Sequence, residues 1–415
     1  MSLNPKRTVA ELKELRALTG DENGAQRVAW TDTWLKAREW FASKLTGLAV
    51  EHHYDAAGNN WVTLPGKSEK ALLIGGHLDS VPNGGWLDGA LNVLAALEVL
   101  RRINQEFQGR PPVTIRLIDW ADEEGTRFGR SLLGSSAFAG TATIAADRVR
   151  TDHDGTPLED ALRRCGVEID RFPEAAREQK NAGAYIELHI EQGPVLERMG
   201  LPLSVVLGTK GVERHAITFH GQEAHSGSTP MNARHDALAA CAKLALEIRP
   251  IAGKHSDAVC TMGSVKTVPG IVTAVVGRCE ATLDQRDLDP AVLAAMFREA
   301  REASERFAAE ERCTVEWSRI WQIEPIAFHP KMLDLCDEAI REVVGASHRM
   351  PSGPLHDAAE VSRAGIPTVM MFVQSLGGIS HNKIEDTREG HLELAVRAFD
   401  RLASKAIAFL SEASL

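Results

Sequence analysis

This chain of 415 residues has no two cysteines close together in sequence. None of its six cysteines forms a Cys-x-x-Cys pair with another. They are Cys165, Cys241, Cys260, Cys279, Cys313 and Cys336. Such scattered spacing favours neither a disulfide framework nor a thiolate zinc site, so we expect reduced thiols in the cytoplasm.

Long apolar runs and net positive charge are also missing. No run approaches the roughly 18 apolar residues of a membrane span, and the start of the chain has no apolar segment of signal-peptide length. The formal net charge is -10. This acidic balance argues against nucleic acid or an anionic membrane as a partner. We therefore expect a cytoplasmic protein that binds neither.

The chain is too long for one ordinary hydrophobic core, so two domains are expected. Four segments have the apolar character of buried strands, and helical patterns separate them. They are ALLIGGH, VTIRLIDWAD, AYIELHI and IPTVMMFV. Strands that alternate with helices predict an α/β domain with a mixed, largely parallel sheet flanked by helices.

The segment 211–325 has a different pattern. HAITFHG and RCEATLDQRDL alternate apolar and polar residues, as strands with one solvated face do. Amphipathic helices lie between and after them. This order predicts an inserted α+β domain, strand–helix–strand–strand–helix–strand, with an open sheet face. The predicted domains are 1–210 with 326–415, and 211–325.

Residues that bind metals follow the predicted strands of the α/β domain, where ligands collect in such folds. They are His77, Asp79, Asp88, Asp122, Glu123, Glu124, His189 and His381. A single histidine at a strand end is ordinarily structural, and adjacent acids are usually solvated. Three histidines and several carboxylates at one sheet edge instead predict a metal site, because buried charge is costly unless paired or metal-bound. Imidazole with carboxylate oxygens suits Zn, Mn or Co.

The stretch GGHLDSVPNGGWLDG holds three of these residues. His77 and Asp79 lie on the same side of an extended chain, so Asp79 can bond the ring nitrogen that does not bind metal. Asp88 lies too far along the chain for that role. Because a carboxylate has two oxygens, Asp88 can bridge two metal ions.

Several motifs resemble the M20 metallopeptidase-like hydrolases, and within them the hydantoinase/carbamoylase amidase branch. They are GGHLDSVPNGG, DEEGTRFGRSLLGS, ELHIEQGPVLE, GQEAHSGSTPMNARHDAL, SGPLHDAAE and GISHNKIE. That branch contains N-carbamoyl-L-amino acid hydrolases, β-ureidopropionases and allantoate amidohydrolases. The motifs span most of the chain, from about 75 to 386.

The resemblance implies two divalent metal ions per subunit. Asp88 would bridge them, and His77 and His189 would be terminal ligands on the two sides of the pair, or close to it. Glu124 and His381 would complete the other shell. Glu123 would be the general base, with Asp79 supporting the site. A histidine at position 189, in place of a carboxylate, is typical of the amidase branch.

The resemblance also implies residues that contact the substrate. The segments 1–210 and 326–415 would form the catalytic domain, and 211–325 a dimerisation or lid domain. His225 would donate to the developing oxyanion from the other subunit of a homodimer, unless it is an ordinary loop histidine. Arg286 would grip a substrate carboxylate, unless it is only a strand-end salt bridge. Residues expected to line the pocket are Gln192, His356, Gly377 and Gly378.

The chain departs from the family pattern around the expected pocket. Thr273 stands where an asparagine is common, so a polar contact to the substrate is altered or lost. Trp86-Leu87 in the glycine loop, GPLHDA and Gln374 are further departures. Since every expected ligand is kept, the reaction class is predicted to be retained while the substrate stays open.

The resemblance therefore implies an enzyme that cleaves a linear C–N bond of an N-carbamoyl-L-amino acid by a metal-activated hydroxide. Allantoate or a β-ureido acid is the alternative substrate, and an N-acyl amino acid or dipeptide a more distant one. A binding protein on a retired hydrolase scaffold is the alternative of another class.

Overall fold

The computed structural model describes residues 2–412, and the chain forms two compact units. The first consists of the chain up to Leu207 and from Phe328 onward, and the second is Gly208–Ala327. These junctions lie close to the predicted ones. The predicted mixed α/β class is confirmed, while a catalytic role for one unit and a dimerisation role for the other stay predictions.

The strands follow one another along both units. They are β1 (Gly20–Asp21), β2 (Gly24–Ala25), β3 (Glu51–Tyr54), β4 (Asn60–Leu64), β5 (Ser68–His77), β6 (Val113–Trp120), β7 (Ala182–Ile190), β8 (Leu203–Thr209), β9 (Gly211–His220), β10 (Ala224–His225), β11 (Val259–Val268), β12 (Ala274–Val275), β13 (Arg278–Asp287), β14 (Thr314–Ile323), β15 (Ile326–Ala327), β16 (Arg349–Ser352) and β17 (Thr368–Val373).

The helices are distributed over the same two units. They are α1 (Pro5–Thr19), α2 (Asp32–Ser43), α3 (Ala90–Glu106), α4 (Leu133–Ala139), α5 (Ile144–Arg148), α6 (Leu158–Arg164), α7 (Val195–Met199), α8 (Ala237–Ala252), α9 (Pro290–Glu310), α10 (Pro330–Val344), α11 (Asp357–Arg363) and α12 (Glu389–Glu412). Short 3-10 helices span Ile169–Gln179, Met231–Ala233 and Leu376–Gly378. Within residues 2–412, no helix is long and apolar enough to cross a membrane.

A mixed sheet forms the centre of the first unit. Its strand order is β8-β17-β7-β5-β6-β4-β3, with β16 paired to β8. The central pairs β17/β7, β7/β5 and β5/β6 are parallel, and the flanking pairs are antiparallel. The central strands are buried on both faces. This explains why their sequences are continuous apolar runs rather than alternating ones.

Two groups of helices cover this sheet. Helices α1, α3 and α12 contact one another, and α10 contacts α12. Helices α3 and α12 pack on the central strands, while α11 packs on β7 and β17 and contacts α4. The parallel strands end at one edge: β5 at His77, β6 at Trp120, β7 at Ile190 and β17 at Val373. The loops after these strands are therefore neighbours, as the sequence predicts.

The second unit contains a four-stranded antiparallel sheet of order β11-β13-β9-β14. Helices α8 and α9 share one hydrophobic core with it, which includes Phe219, Leu244 and Met296. Alternate residues of β13, such as Thr282 and Asp284, lie on the other side and are only half-buried. The order strand–helix–strand–strand–helix–strand is the one that the alternating pattern predicts.

A buried ion pair joins α2 to the central sheet. Arg38 Nε lies 2.8 Å from Asp119 Oδ2, and both side chains are nearly inaccessible to solvent. The guanidinium also donates to Gly58 O and packs 3.8 Å from the Trp34 ring centroid. Asp119 Oδ1 accepts from the main-chain N–H of Leu78 at 2.8 Å, next to His77. The pair thus supports the loop that begins the candidate site.

Removing one partner of this pair leaves the other charge buried and unpaired. We expect Arg38→Met to lower the free energy of unfolding by about 3–5 kcal/mol, measured by urea denaturation. The exposed pair Arg171–Glu174 is the control, and Arg171→Met should change the free energy of unfolding far less, because water screens an exposed pair. Equal, small losses for both variants would contradict the role given to Arg38.

Candidate metal centre

The glycine loop after β5 brings Asp88 back to His77. Gly89 follows Asp88 and has a φ of 62°. A Cβ at Gly89 would lie 2.4 Å from His77 Cε1, a distance that no side chain tolerates. Glycine is therefore required here, because α3 begins directly against the imidazole ring of His77.

The two carboxylate oxygens of Asp88 face different histidines. Oδ1 lies 3.2 Å from His189 Nε2 and 3.7 Å from His77 Nε2. Oδ2 lies 3.5 Å from His381 Nε2. Asp88 is 3% exposed, so solvent contributes little to screening its charge. One oxygen thus faces His77 and His189, and the other faces His381. A ligand that bridges two metal ions needs this arrangement.

Glu123 and Glu124 follow β6 and enter the same cluster. Glu123 Oε2 lies 3.8 Å from His77 Nε2, and Glu124 Oε2 lies 3.4 Å from His381 Nε2. The carboxylate of Asp79 accepts the main-chain N–H groups of Glu123 and Glu124 at 3.3 and 3.2 Å. Asp79 therefore orients the acidic pair as well as approaching His77.

Hydrogen bonds at Nδ1 orient two of the histidines. Nδ1 of His77 lies 3.1 Å from the main-chain oxygen of Asp79 and 3.5 Å from its Oδ1. Nδ1 of His189 lies 2.9 Å from Ile190 O. Because these acceptors need a proton on Nδ1, the Nε2 lone pairs are left for a cation.

Three overlapping groups of ligand atoms lie within 4.8 Å of one another. They are His77 with Asp88 and His189, His77 with Glu123 and Glu124, and Asp88 with Glu124 and His381. His77 and His189 thus share one oxygen of Asp88 and stand on one side. His381 faces the other oxygen of Asp88. Because His77 also forms a group with Glu123 and Glu124, the ligand set of each ion stays a prediction.

The electrostatics of the cluster fit divalent cations. Burial raises the pKa of Glu123 and of Glu124 well above the usual value. Burial lowers the pKa of His77, but the carboxylates around it outweigh burial and raise the pKa overall. In the described part of the chain, His77 Nε2 and Glu124 Oε1 are buried without a hydrogen-bond partner. Imidazole nitrogens and carboxylate oxygens that lack partners are what a Zn, Mn or Co ion would engage.

Gln192 and His356 lie beside the cluster. Gln192 has a φ of 58°, and its Nε2 donates to Asp88 Oδ2 at 2.9 Å. The His356 ring centroid is 4.4 Å from that of His189, and His356 Nε2 lies 3.0 Å from Ser352 Oγ. Both therefore lie beside the candidate ligands, and Gln192 is engaged with one of them, while their contact with a substrate stays a prediction.

Other predicted pocket positions are engaged in internal contacts. The Gly377 N–H donates to Glu197 at 2.9 Å, and the Gly378 N–H to Ser375 O at 3.3 Å. Neither N–H is free for a substrate. Gln374 is 4% exposed and donates to Leu201 O.

Trp86 and Leu87 are also internal. Trp86 is 6% exposed and Leu87 1% exposed. The Trp86 indole N–H donates to Asp386 Oδ1 at 3.2 Å, and the Arg16 guanidinium lies 5.7 Å from its ring centroid. This departure from the family pattern is therefore explained by packing.

His225, Thr273 and Arg286 belong to the second unit. His225 is exposed, and its Nδ1 accepts the Gly227 N–H at 3.1 Å. Thr273 is exposed, and its main-chain oxygen accepts the Ser226 N–H at 2.9 Å. His225 and Thr273 are thus neighbours, because His225 pairs with the residue after Thr273.

Arg286 lies on the half-buried side of β13. It donates from Nε and Nη2 to the two oxygens of Asp284 at 2.8 and 3.2 Å. Arg214 donates to the same carboxylate. A strand salt bridge is therefore present, and a substrate carboxylate would compete with Asp284 for the guanidinium.

The sequence reasoning missed buried residues that support the centre. Trp30 Nε1 donates to Asp122 Oδ2 at 2.6 Å, directly before Glu123. Glu385 is 2% exposed and Arg27 0% exposed. Glu385 ends the motif GISHNKIE, which was a signal for it. The stretch AQRVAW around Arg27 offers no such signal, because only the fold shows that this arginine is buried.

Comparison with known proteins decides the family. Residues 73–405 match the sequence model of peptidase family M20/M25/M40. The chain belongs to this family. The resemblance drawn from the motifs is thereby confirmed.

Curated members of the M20 family resemble the chain over most of its length. It is 34% identical to the N-carbamoyl-L-amino acid amidohydrolase of Geobacillus stearothermophilus, over 87% of this chain and 88% of that protein. It is 30% identical to the allantoate amidohydrolase of Escherichia coli (strain K12), over 88% of each.

A solved structure from the amidase branch shares the fold. The chain superposes with a hydantoinase/carbamoylase family amidase from Burkholderia multivorans at a TM-score of 0.87. The two are 31% identical, with 98% of each chain covered. Together with the ligand groups, these similarities support a metal-dependent amidohydrolase.

A substitution of the candidate ligand that both ions share should affect metal binding differently from a substitution of a candidate ligand of one ion. We expect Asp88→Asn to weaken binding of both ions, and His381→Ala to weaken binding of one, each by more than about tenfold. Calorimetric titration and elemental analysis after dialysis measure this. Asp55→Asn, a carboxylate that binds main-chain N–H groups elsewhere in the unit, should leave metal content unchanged. Undiminished binding in Asp88→Asn would contradict the bridging role.

Proposed function

We propose that this chain hydrolyses the linear C–N bond of N-carbamoyl-L-amino acids with two divalent metal ions. The observation that carries the proposal is Asp88, whose two oxygens face separate histidine sets beside Glu123. The relative from Geobacillus stearothermophilus supports the choice of substrate. Zn, Mn and Co all suit the donor set.

Allantoate is the second candidate substrate, because relatives with that activity are nearly as similar. β-Ureidopropionate offers the same ureido group, and N-acyl amino acids or dipeptides are more distant alternatives. A non-catalytic binding protein is disfavoured, since a retired enzyme usually loses a ligand or the base. Here the expected ligands and Glu123 are all present in one cluster.

The proposed ligand sets follow from the grouping of donor atoms. His77, Asp88 and His189 would hold one ion, and Asp88, Glu124 and His381 the other. Divalent cations held there would supply Lewis acidity, which polarises a carbonyl group and makes water more acidic.

Glu123 is the proposed general base. Its main chain is held by Asp79, and the residue is 7% exposed. Burial raises the pKa of Glu123, so the group is suited to hold a proton between two transfers.

The proposed reaction moves one proton through this carboxylate. Glu123 takes a proton from the attacking water, whose oxygen bonds to the ureido carbonyl carbon. The bond between that carbon and the α-nitrogen breaks, and Glu123 returns the proton to this nitrogen. The products are the L-amino acid and carbamate, which decomposes to carbon dioxide and ammonia.

His225 is the proposed donor to the developing oxyanion. Because its Nδ1 accepts the Gly227 N–H, the neutral ring carries its proton on Nε2 and presents that N–H outward. One such donor is typically worth about 3 kcal/mol of transition-state stabilisation. Thr273, beside it, is the proposed substitute for a family asparagine, and it would alter the contact to the substrate.

The spacing within the second unit supports a homodimer. His220 pairs with Arg278 at one end of β13, and Val212 pairs with Arg286 at the other. At about 3.3 Å per residue, roughly 26 Å separates these ends. His225 follows His220 at the first end, so one small substrate cannot contact His225 and Arg286 of the same copy. We therefore propose that two copies contribute, with His225 acting in the site of its partner and Arg286 binding the substrate carboxylate.

A substrate panel tests the proposed function. We expect the highest kcat/KM for N-carbamoyl-L-amino acids, against allantoate, β-ureidopropionate, N-formyl and N-acetyl amino acids and the D-enantiomers. Glu123→Gln should lower kcat by about 10²–10⁴-fold while metal content stays unchanged. A higher kcat/KM for allantoate would favour the second candidate. Full turnover by the metal-loaded Glu123→Gln variant would refute the general base.

Subunit mixing tests the action of His225 across the dimer. We expect Glu123→Gln and His225→Ala variants to be nearly inactive alone. After mixing and subunit exchange, about a quarter of the sites should combine Glu123 with a partner's His225 and recover activity. A mixture no more active than its components would contradict action in trans, and a fully active monomer in ultracentrifugation would contradict the dimer.

A further inference from the structure

Glu385 is a buried acid outside the proposed ligand sets. It lies four residues after His381, between the last 3-10 helix and α12, and is 2% exposed. Within residues 2–412, it forms no ion pair within 4.0 Å. Instead, its carboxylate is satisfied by neutral donors from two loops. A buried carboxylate without a cation is costly, so its retention requires a reason.

The hydrogen bonds of Glu385 join the two loops that carry candidate ligands. Oε1 accepts the main-chain N–H groups of Leu87 and Asp88, each at 3.1 Å. Oε2 accepts the Ser380 hydroxyl at 2.9 Å. Asp88 and Glu385 are 297 residues apart in the chain. One side chain therefore sets the separation between the peptide of Asp88 and the residue before His381.

The glycine loop is shaped to admit this carboxylate. A Cβ at Gly85 would lie 2.0 Å from Glu385 Oε1 and 2.1 Å from its Cδ. Any larger residue at position 85 would have to displace the carboxylate. The close approach shows that the Glu385 contact is built into both loops.

Arg27 supports the same loop from beneath. Its Nε donates to Leu78 O at 2.8 Å, and its main chain exchanges hydrogen bonds with Ser80. Its Nη1 and Nη2 have no hydrogen-bond partner in the described part of the chain. Burial lowers the pKa of Arg27, and Glu385 is the carboxylate that most strongly opposes this.

We propose that Glu385 is a positioning residue, which holds Asp88 and His381 at the separation that the second metal ion requires. The inference rests on the proposed function, because it assumes that Asp88, Glu124 and His381 bind an ion. Glu385 acts through its hydrogen bonds to Asp88 and Ser380 and does not itself bind the ion or the substrate. Outer partners of metal ligands typically contribute 10–100-fold in affinity.

Titration of metal-free protein with Co²⁺ tests the proposal, with calorimetry and visible absorption as readouts. We expect Glu385→Ala to weaken the ion at Asp88, Glu124 and His381 by about 10–100-fold and to change its absorption bands. The ion at His77, Asp88 and His189 should be affected less. Glu385→Gln, which can still accept both main-chain N–H groups, should retain most of the affinity.

Asp55→Ala is the matched control for general destabilisation. Asp55 also accepts two main-chain N–H groups, those of Ala57 and Asn59, but it lies in the β3–β4 connection. Asp55→Ala should reduce thermal stability without changing the Co²⁺ affinity of either ion site. Equal weakening of both ions by Asp55→Ala and Glu385→Ala would overturn the proposal, because the effect would then be loss of folding stability.

Gly85→Ala is a second variant, which keeps the carboxylate but displaces it. We expect the same selective loss of the second ion, whereas Gly263→Ala, where a Cβ meets no atom within 4 Å, should bind Co²⁺ normally. If Glu385→Ala and Gly85→Ala both bind Co²⁺ with the affinities of the wild-type protein, the positioning role is overturned. The proposed function still stands in that case, because the wild-type protein binds two ions. A wild-type protein that binds no Co²⁺ would instead refute the proposed function itself.

Discussion

The carboxylate of Asp88 is the point on which the rest of the first unit depends. It is buried and acidic, and it lies within 3.7 Å of ring nitrogens from His77, His189 and His381. Glu123 and Glu124 add further negative charge in the same low-dielectric region. Such a concentration of charge is tolerable only if protons or cations offset it. The chain stabilises it with rigid supports on every side rather than by exposing it to water.

Those supports come from elements far apart in the chain. The parallel strands β5, β6, β7 and β17 end at one edge and place the loops together. Asp79 fixes the main chain of Glu123 and Glu124, and Glu385 fixes that of Asp88. Positive φ angles at Asp122, Gln192 and His381 fall in these loops. Backbone strain of this kind persists only where surrounding contacts determine it, and it concentrates at functional sites.

The second unit obeys a different constraint. Its sheet buries one side against α8 and α9 and leaves the other side polar, with Arg286 and Arg214 both bonded to Asp284. His225 stands near one end of β13 and Arg286 at the other. Because roughly 26 Å separates the two ends of β13, the proposal for these two groups involves a second copy.

The family was predictable from sequence, because its motifs follow from local pattern. The candidate ligands and the domain boundaries were inferred from motif spacing and strand-end position, and the ligand roles stay predictions. What the pattern could not provide was any distance between loops. Only the tertiary structure grouped His77 with His189 on one oxygen of Asp88 and set His381 and Glu124 against the other. It also made Trp86 and Gln374 internal, and it revealed Glu385 and Arg27 as buried supports. Sequence by itself determined which donor atoms the protein has. The fold alone decided which of them meet, because contacts between residues hundreds of positions apart depend on packing and not on local sequence.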